Sequence, residues 1–134
     1  MIIRYAEILL WKAEALIELN QDLEGARSLI NQVRNRAKAS TYVTTLDGST
    51  NAANYSINPY SSVGWNQDFA RKALRFERRL EFALEGHHFF DLVRWGDAIN
   101  VLSPRGYQNK HRYFPIPTPA LNGNPNLVQN PEWP

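Results

Sequence analysis

The side chains best suited to catalysis or metal binding are carboxylates and imidazoles grouped in one short stretch. They are Glu81, Glu85, His87, His88 and Asp91. Glu85 and His88 form a Glu-x-x-His pair, a spacing that carboxylate-bridged di-iron bundles use on one face of a helix. The pattern occurs once, and no glutamate stands three residues before His111. A metal-dependent enzyme at Glu85 and His88 is therefore one hypothesis, but the sequence favours structural histidines and predicts no metal site.

Other catalytic patterns are missing from the sequence. It contains no Gly-rich phosphate loop, no Gly-x-Ser-x-Gly elbow and no His-Glu-x-x-His motif. No pair of glycosidase carboxylates stands out from its charged helix faces. It also has no cysteine, which excludes a thiolate nucleophile, thiolate metal ligands and disulfides. The sequence predicts a non-catalytic protein with no catalytic residues and no cofactor.

Composition limits the size of the fold and the classes of partner. With 134 residues, of which 43% are hydrophobic, the chain is expected to form one domain over residues 1–134. The net charge is only +2, and the basic residues are interleaved with glutamates. Nucleic acid is therefore not a predicted partner. No apolar stretch approaches the roughly 20 residues that cross a bilayer, and no signal peptide opens the chain.

Residues 1–39 show the periodicity of a helical hairpin. The first helix, Tyr5 to Leu19, is apolar around more than half of its circumference. Asp22 is a candidate N-cap for the second helix. Its two apolar sets are Tyr5, Ile8, Leu9, Leu16 and Leu19, and Ala6, Leu10, Ala13 and Ile17, opposite a mostly charged face of Arg4, Glu7, Trp11, Glu14 and Glu18. The pair resembles one tetratricopeptide-type repeat, which buries its faces by stacking on neighbours. Either those neighbours lie outside this chain or the hairpin packs on the later helix alone.

Residues 40–65 break the helical pattern and are rich in Ser, Thr and Asn. A connection of this length is usually either functional or disordered. Sugar recognition needs an aromatic face together with amides and hydroxyls, and this loop supplies both. Its aromatic residues, which are the candidate ligand-binding residues, are Tyr42, Tyr55, Tyr60 and Trp65. The alternative is a mobile insertion with no ligand.

Residues 66–102 predict a long helix that begins at an Asn66 cap, with Gly86 as the candidate site of a kink. One continuous apolar stripe is expected to form the core. It consists of Phe69, Ala73, Phe76, Leu80, Ala83 and Leu84. The arginines and glutamates on its flanks stand three or four residues apart, which predicts a self-paired surface.

Residues 103–134 contain most of the prolines, which exclude a helix over most of this segment. Proline also biases the preceding residue to extended geometry, so Tyr113 to Pro119 should run extended over a surface. The sequence as a whole predicts an all-α fold: a tetratricopeptide-like hairpin, a long helix and an extended, proline-rich C-terminal segment.

Five sequence blocks, taken together, resemble the C-terminal portion of the SusD/RagB family. Arg4 to Ala15 resembles its Arg-Tyr-Ala-Glu-x-x-Leu-x-x-Ala-Glu-Ala helix, Glu77 to Gly86 its Glu-Arg-Arg-x-Glu-x-x-x-Glu-Gly run, Asp91 to Trp95 its Asp-Leu-x-Arg-Trp, Pro115 to Pro117 its Pro-Ile-Pro, and Asn124 to Pro131 its Asn-Pro-x-Leu-x-Gln-Asn-Pro. The blocks follow the family's order. Three departures are His88, where the family often has arginine, Glu132, where glycine is usual, and the loop over residues 40–65, which is longer and more polar than expected.

The resemblance implies part of a glycan-binding lipoprotein on the surface of a Bacteroidetes-type outer membrane. Such a protein captures oligosaccharide or polysaccharide, without catalysis, for a TonB-dependent transporter. Its lipid-bearing N-terminal cysteine and most of its sugar-contacting residues are implied to lie outside this chain. The motif residues are implied to be architectural: Glu77, Arg78, Arg79, Glu81, Glu85, Asp91 and Arg94. The alternative function is a tetratricopeptide-like protein–protein interaction module.

Overall fold

The computed structural model describes residues 3–134, which fold into α-helices, short 3-10 helices and connecting loops. The helices are α1 (Tyr5–Glu18), α2 (Leu23–Lys38), α3 (Gln67–Glu81), α4 (His87–Arg94), α5 (Ala98–Leu102) and α6 (Thr118–Gly123), with 3-10 helices at Ser103–Arg105 and Asn109–Arg112. Over the described residues, β-pairing is limited to an isolated bridge between Thr44 and Asn51. The all-α prediction is confirmed. The chain divides into two compact units, one ending at Ala83 and the other running from Leu84 to Pro134.

The first unit is the predicted hairpin with α3 packed against both of its helices. Asp22 caps α2 as predicted, since its carboxylate accepts a hydrogen bond from the Gly25 backbone N–H at 2.9 Å. Small and branched side chains interlock in the core. They are Leu10, Ala13, Ile17, Ala26, Ile30, Val33, Ala70, Leu74 and Phe82. Burying these side chains is the main stabilising contribution in the unit.

The inward face of α1 differs from the prediction. Glu7 and Glu14 are buried, whereas Tyr5 and Leu19 are 75% and 65% exposed. The buried face of α3 likewise carries Glu77 and Arg78, so α3 packs on the hairpin through a partly polar surface. Apolar periodicity alone cannot detect such a face, because it assigns every charged side chain to solvent.

Helix α3 begins as predicted, with the Asn66 side chain accepting from the Phe69 backbone N–H at 3.0 Å. The expected helix over 66–102, with its kink near Gly86, is divided instead into α3, α4 and α5. The first interruption falls at residues 82–86, where Leu84 and Gly86 adopt left-handed backbone conformations with φ of 67° and 83°. The second falls at residues 95–97, where Gly96 has φ of 75°. Left-handed residues end a right-handed helix, and glycine adopts this conformation without a Cβ penalty.

The predicted apolar stripe of α3 is wrong for its large members. Phe76 and Leu80 are about half exposed. Ala73 is buried as predicted, but its buried neighbours are Ala70 and Leu74. Alanine lets the α3 backbone approach the hairpin closely, so the smaller stripe is the one that is buried.

Two carboxylates of α3 tie it to both helices of the hairpin. Glu77 pairs with Arg34 at 2.7 Å, and Glu81 lies between Arg4, at 2.8 Å, and Arg36. The glutamate side chains are only 5% and 7% exposed. Pairing them is therefore a condition of burying this interface, since an unpaired buried carboxylate is costly.

In the second unit, side-chain amides hold the proline-rich segment. Pro115 and Pro117 lack N–H groups, so Ile116 has the one backbone donor between them. The Gln129 amide satisfies both backbone groups of Ile116: its oxygen accepts from the N–H at 2.8 Å and its nitrogen donates to the carbonyl at 3.1 Å. Asn130 donates to the Phe114 carbonyl at 2.6 Å.

The predicted extended segment is interrupted by the two 3-10 helices and by α6. Pro119 lies in the first turn of α6, where its missing N–H breaks no helical hydrogen bond. Glu132 adopts a left-handed conformation, with φ of 67°. A glycine, which the family resemblance implies at this position, would be unstrained there, whereas a side chain is strained.

We expect Glu77→Gln and wild type to have nearly the same free energy of unfolding below pH 4.5, where the wild-type carboxyl is also neutral. Burial raises the pKa of Glu77, partly offset by its hydrogen bond to Arg34. The folded state therefore retains this proton at pH values where the unfolded carboxyl has lost it. Wild-type stability should fall relative to Glu77→Gln as the pH rises above 4.5, in a titration of the free energy of unfolding.

Glu18→Gln is the matched control. Glu18 pairs with Arg71 at 2.8 Å but is 46% exposed, so its loss should cost less than about 1 kcal/mol. The hydrogen bond from Arg71 lowers the pKa of Glu18, so its stabilising effect should disappear as the pH falls below 4.5. The two variants should differ from wild type with opposite pH slopes. Equal slopes would contradict the assignment of Glu77 as the buried member.

We expect Gln129→Glu to release the Phe114–Ile116 segment, because a carboxylate cannot donate to the Ile116 carbonyl. The cost should be about 1–3 kcal/mol, with faster hydrogen exchange at the Ile116 amide. Asn126→Asp adds the same charge at an exposed amide whose side chain holds no other segment. Comparable exchange in both variants would show that charge, and not the lost hydrogen bond, causes the effect.

Candidate functional site

The first part of the loop over residues 40–65 forms a small ordered turn. Backbone hydrogen bonds join Thr45 to Thr50 and Ala52 to Val43, each at 2.9 Å. Asp47 closes the tip by accepting from the Thr45 hydroxyl and from the backbone and side chain of Ser49. These hydrogen bonds, led by that from Thr45, lower the pKa of Asp47 to about 2. The turn therefore keeps its charge at lower pH than an ordinary aspartate would.

The last part of the loop is fixed along α2. The Asn31 side chain accepts from the Tyr60 N–H at 2.7 Å and donates to the Tyr60 carbonyl at 3.0 Å. Arg27 donates to the same carbonyl at 2.9 Å, and Arg34 donates to the Asn58 carbonyl at 2.7 Å. Polar side chains of α2 thus replace a partner strand for this extended segment. These contacts argue against a mobile insertion.

The four candidate aromatic residues fall into two separate groups. Tyr42 and Tyr55 stack, with ring centroids 4.6 Å apart and an interplanar angle of 22°. Tyr60 and Trp65 form another cluster with Phe69 and pack against the core. The structure does not combine all four into one binding surface.

Tyr60 and Trp65 have clear structural roles. The Trp65 indole donates to the Leu23 carbonyl at 2.8 Å, tying the end of the loop to the start of α2. The Arg34 guanidinium lies 4.6 Å from the centroid of the Tyr60 ring. Burial raises the pKa of the Tyr60 phenol, partly offset by the charge of Arg34. Both rings therefore fix the loop to the helices.

The Tyr42–Tyr55 pair is the more open of the two groups. Both hydroxyls donate to backbone carbonyls, Tyr42 to Lys38 at 3.2 Å and Tyr55 to Val43 at 3.3 Å. Tyr55 is 37% exposed. A fixed aromatic surface among hydroxyl and amide side chains can contact the apolar face of a sugar ring. These two tyrosines are the better candidates of the original four.

A groove that periodicity did not predict lies between the loop and α3. It has a volume of about 360 Å³, with Ser56 and Ile57 of the loop on one side and the exposed Phe76 and Leu80 on the other. Its volume falls in the range of ligand sites. Sequence reasoning missed it because Phe76 and Leu80 were assigned to the core.

A second groove of about 340 Å³ lies between α1 and α2. Tyr5, Ala6, Leu9 and Val33 give it an apolar lining, and Arg4 and Arg36 also border it.

The Glu-x-x-His hypothesis fails on geometry. Glu85 lies before the left-handed Gly86, whereas His88 lies in the first turn of α4. The two residues do not share a helix, so they do not project together as the di-iron motif requires. Asp91 is buried and pairs with Arg94 at 3.0 Å. Over residues 3–134, no group of three or more acidic or imidazole side chains is placed to hold a metal ion.

The structure also bears on membrane association. None of the helices in the part of the chain that the structure describes is both long enough and apolar enough to span a bilayer.

Comparisons with a family model and with individual proteins identify the same family. The model of the SusD family matches residues 1–133. The chain is 33% identical to "SusD-like protein P2" and 34% identical to "SusD-like protein P38", both of Formosa agariphila, over 95% and 97% of its length. It is 30% identical to "Starch-binding protein SusD" of Bacteroides thetaiotaomicron over 95% of its length. The alignments cover 24%, 24% and 20% of these relatives, so the chain spans about a quarter of their length or less.

We expect Trp65→Ala to destabilise the first unit by about 3 kcal/mol, because it removes a large ring packed on the core. Tyr55→Ala removes a stacked ring from the open pair and should cost less than about 1.5 kcal/mol. Denaturant unfolding of both variants measures the difference. A greater loss for Tyr55→Ala would contradict the division of the aromatic residues into a structural and an open group.

Proposed function

This chain belongs to the SusD family, and from this premise we propose that it forms part of a cell-surface lipoprotein that captures oligosaccharides. The observation that carries the proposal is the family match over nearly the whole chain, joined by similarity to a protein named as starch-binding. In this proposal the protein binds glycan without transforming it. A TonB-dependent transporter in the outer membrane imports the captured sugar. In this proposal a lipid anchor holds the protein at the membrane surface.

The fold supports a mainly architectural role for the matched motifs. Glu77 and Glu81 pair with arginines of the hairpin, and Gln129 and Asn130 hold the proline-rich segment. These side chains are engaged in holding elements together, so they are poor candidates for binding a sugar. We therefore place most of the capture surface in the remainder of a longer protein.

Within this chain, Tyr42 and Tyr55 are the proposed contacts for a sugar ring. They form a fixed stacked pair, and Ser56, the residue after Tyr55, borders the groove between the loop and α3. Tyr60 and Trp65 are proposed as structural residues, because their rings pack on the core. The Tyr42–Tyr55 pair would supply an auxiliary contact.

The groove between α1 and α2 supports the alternative of a tetratricopeptide-like interaction module. Its apolar lining, which includes Leu9 and Val33, could receive an amphipathic helix. Repeats of this kind stack on their sequence neighbours, and about three quarters or more of each cited relative lies outside the matched region. A helix of the same longer polypeptide is therefore the favoured occupant.

A glycan-array screen tests the proposal with two proteins, this chain and the longest reading frame that contains it. The longer protein should bind oligosaccharides, and this chain should bind the same ones weakly or not at all. The double substitution Tyr42→Ala and Tyr55→Ala should remove any weak binding by this chain, whereas Glu18→Gln should preserve it. Absence of glycan binding by the longer protein would overturn the proposed function.

Equal affinity of the two proteins would have a different meaning. It would confirm glycan binding but place the main site within these 134 residues. The double tyrosine variant would then show whether that site is the Tyr42–Tyr55 pair.

A further inference from the structure

A small pocket in the second unit lies outside the site described above. It has a volume of about 100 Å³ and opens between α4, α5 and the 3-10 helix at Asn109–Arg112. Tyr107, Asn109 and Arg112 are its polar lining residues, opposite Val93 and Ile99. An aromatic ring, an amide and a guanidinium thus meet at one opening.

The pocket lining carries one cation, Arg112, and no carboxylate, but Asp97 stands between the lining residues Gly96 and Ala98. From Ala98 to Pro131 the sequence contains Arg105, Lys110 and Arg112 but no aspartate or glutamate. Among the residues that the structure describes, no carboxylate lies within ion-pair distance of Arg112. This contrasts with Arg4, Arg34 and Arg36 of the first unit, each of which pairs with a glutamate. Arg112 is therefore available to an anion from outside the chain.

The side chains around the pocket are held in place before any ligand arrives. The Arg112 guanidinium lies 4.7 Å from the centroid of the Tyr113 ring. Tyr107 makes edge contacts with Phe89 and with His111, whose centroids lie 6.1 Å and 5.7 Å away. The His111 ring is itself fixed, because its Nδ1 accepts from the Gln108 backbone N–H at 3.0 Å. Preorganised donors bind a ligand at a lower entropic cost.

The volume limits what can enter. One water molecule occupies about 30 Å³ in the liquid, so the pocket accommodates a group the size of about three waters. This is too small for a pyranose ring, since ligand pockets usually measure about 300–1,000 Å³. A carboxylate or sulfate substituent on a sugar fits this size, while the ring itself would remain at the opening. A guanidinium can bind either oxyanion through two hydrogen bonds.

We propose that the Arg112 pocket, lined by Tyr107, Asn109 and Arg112, binds the anionic substituent of an acidic sugar residue. Arg112 binds the anion, Asn109 donates from its side-chain amide, and Tyr107 lines the opening where the sugar ring lies. This inference rests on the proposed function, because it names the class of oligosaccharide for which the chain supplies a contact. The shared chemistry is an oxyanion carried on a sugar, either a uronate carboxylate or a sulfate ester.

NMR titration of this chain with three oligosaccharides of equal length tests the pocket. They are a trimer of galacturonic acid, a sulfated galactose trimer and neutral maltotriose. At least one acidic trimer should shift the backbone amide signals of Asn109 and Arg112, and maltotriose should not. A response to the galacturonic acid trimer would indicate that the pocket binds a carboxylate, and a response to the sulfated trimer that it binds a sulfate ester. Added salt should weaken the response, because the opening is exposed to solvent.

Variants separate a specific site from general attraction to positive charge. Arg112→Gln should weaken binding of the responding acidic trimer by about fivefold, the effect expected of an exposed charged contact. Arg105→Gln removes the same charge from an exposed arginine that does not line the pocket, and should change affinity by less than about twofold. Arg112→Lys keeps the charge but cannot form bidentate hydrogen bonds, so its affinity should lie between those of wild type and Arg112→Gln.

Three results would overturn the inference. They are equal responses to acidic and neutral trimers, equal losses in Arg112→Gln and Arg105→Gln, and no response at Asn109 and Arg112 to any trimer. If the longer protein still bound glycans on the array, the proposed function would stand while the pocket assignment failed. Absence of binding on the array would instead count against the proposed function itself.

Discussion

The first unit depends on the pairing of two buried carboxylates with arginines from other helices. Glu77 and Glu81 belong to the same face of α3, and they reach Arg34 of α2, Arg36 of α2 and Arg4 at the start of α1. A buried carboxylate without a partner is costly, so these pairs restrict how α3 can lie on the hairpin. Apolar contacts alone would not fix the position of α3 along the hairpin. A helix face of small alanine side chains can shift more easily than one whose carboxylates must reach particular arginines.

This constraint explains both the success and the failure of the sequence-based fold prediction. Helix formation and the caps at Asp22 and Asn66 depend on residues that are close together in the sequence, so the sequence alone predicts them. The choice of buried face is a tertiary property. Large apolar residues such as Phe76 suggested one face of α3, but Ala70 and Ala73 permit closer approach, and the paired glutamates lie on that side. Periodicity cannot weigh close packing and ion pairing against hydrophobic area.

The second unit shows the same limit in another form. The prolines correctly predict that residues 114–117 are not helical, since proline removes donors and restricts its neighbours. They do not show what holds the segment in place, because Gln129 is distant in sequence and reaches Ile116 only in the fold. The family resemblance identified both blocks, and the structure supplies their physical link. The departure at Glu132 likewise marks a left-handed residue, where glycine would be unstrained.

The candidate site was the least predictable feature. Composition identified four aromatic residues in one polar loop, but residue type cannot distinguish a ring that anchors the loop from one that remains open. That distinction comes from particular contacts: the Trp65 indole reaches the Leu23 carbonyl, whereas Tyr42 stacks on Tyr55 away from the core. The same argument separates the arginines, since Arg34 is committed to Glu77 and Arg112 faces a pocket without a carboxylate. An arginine without an ion pair is informative where, like Arg112, it also lines a pocket.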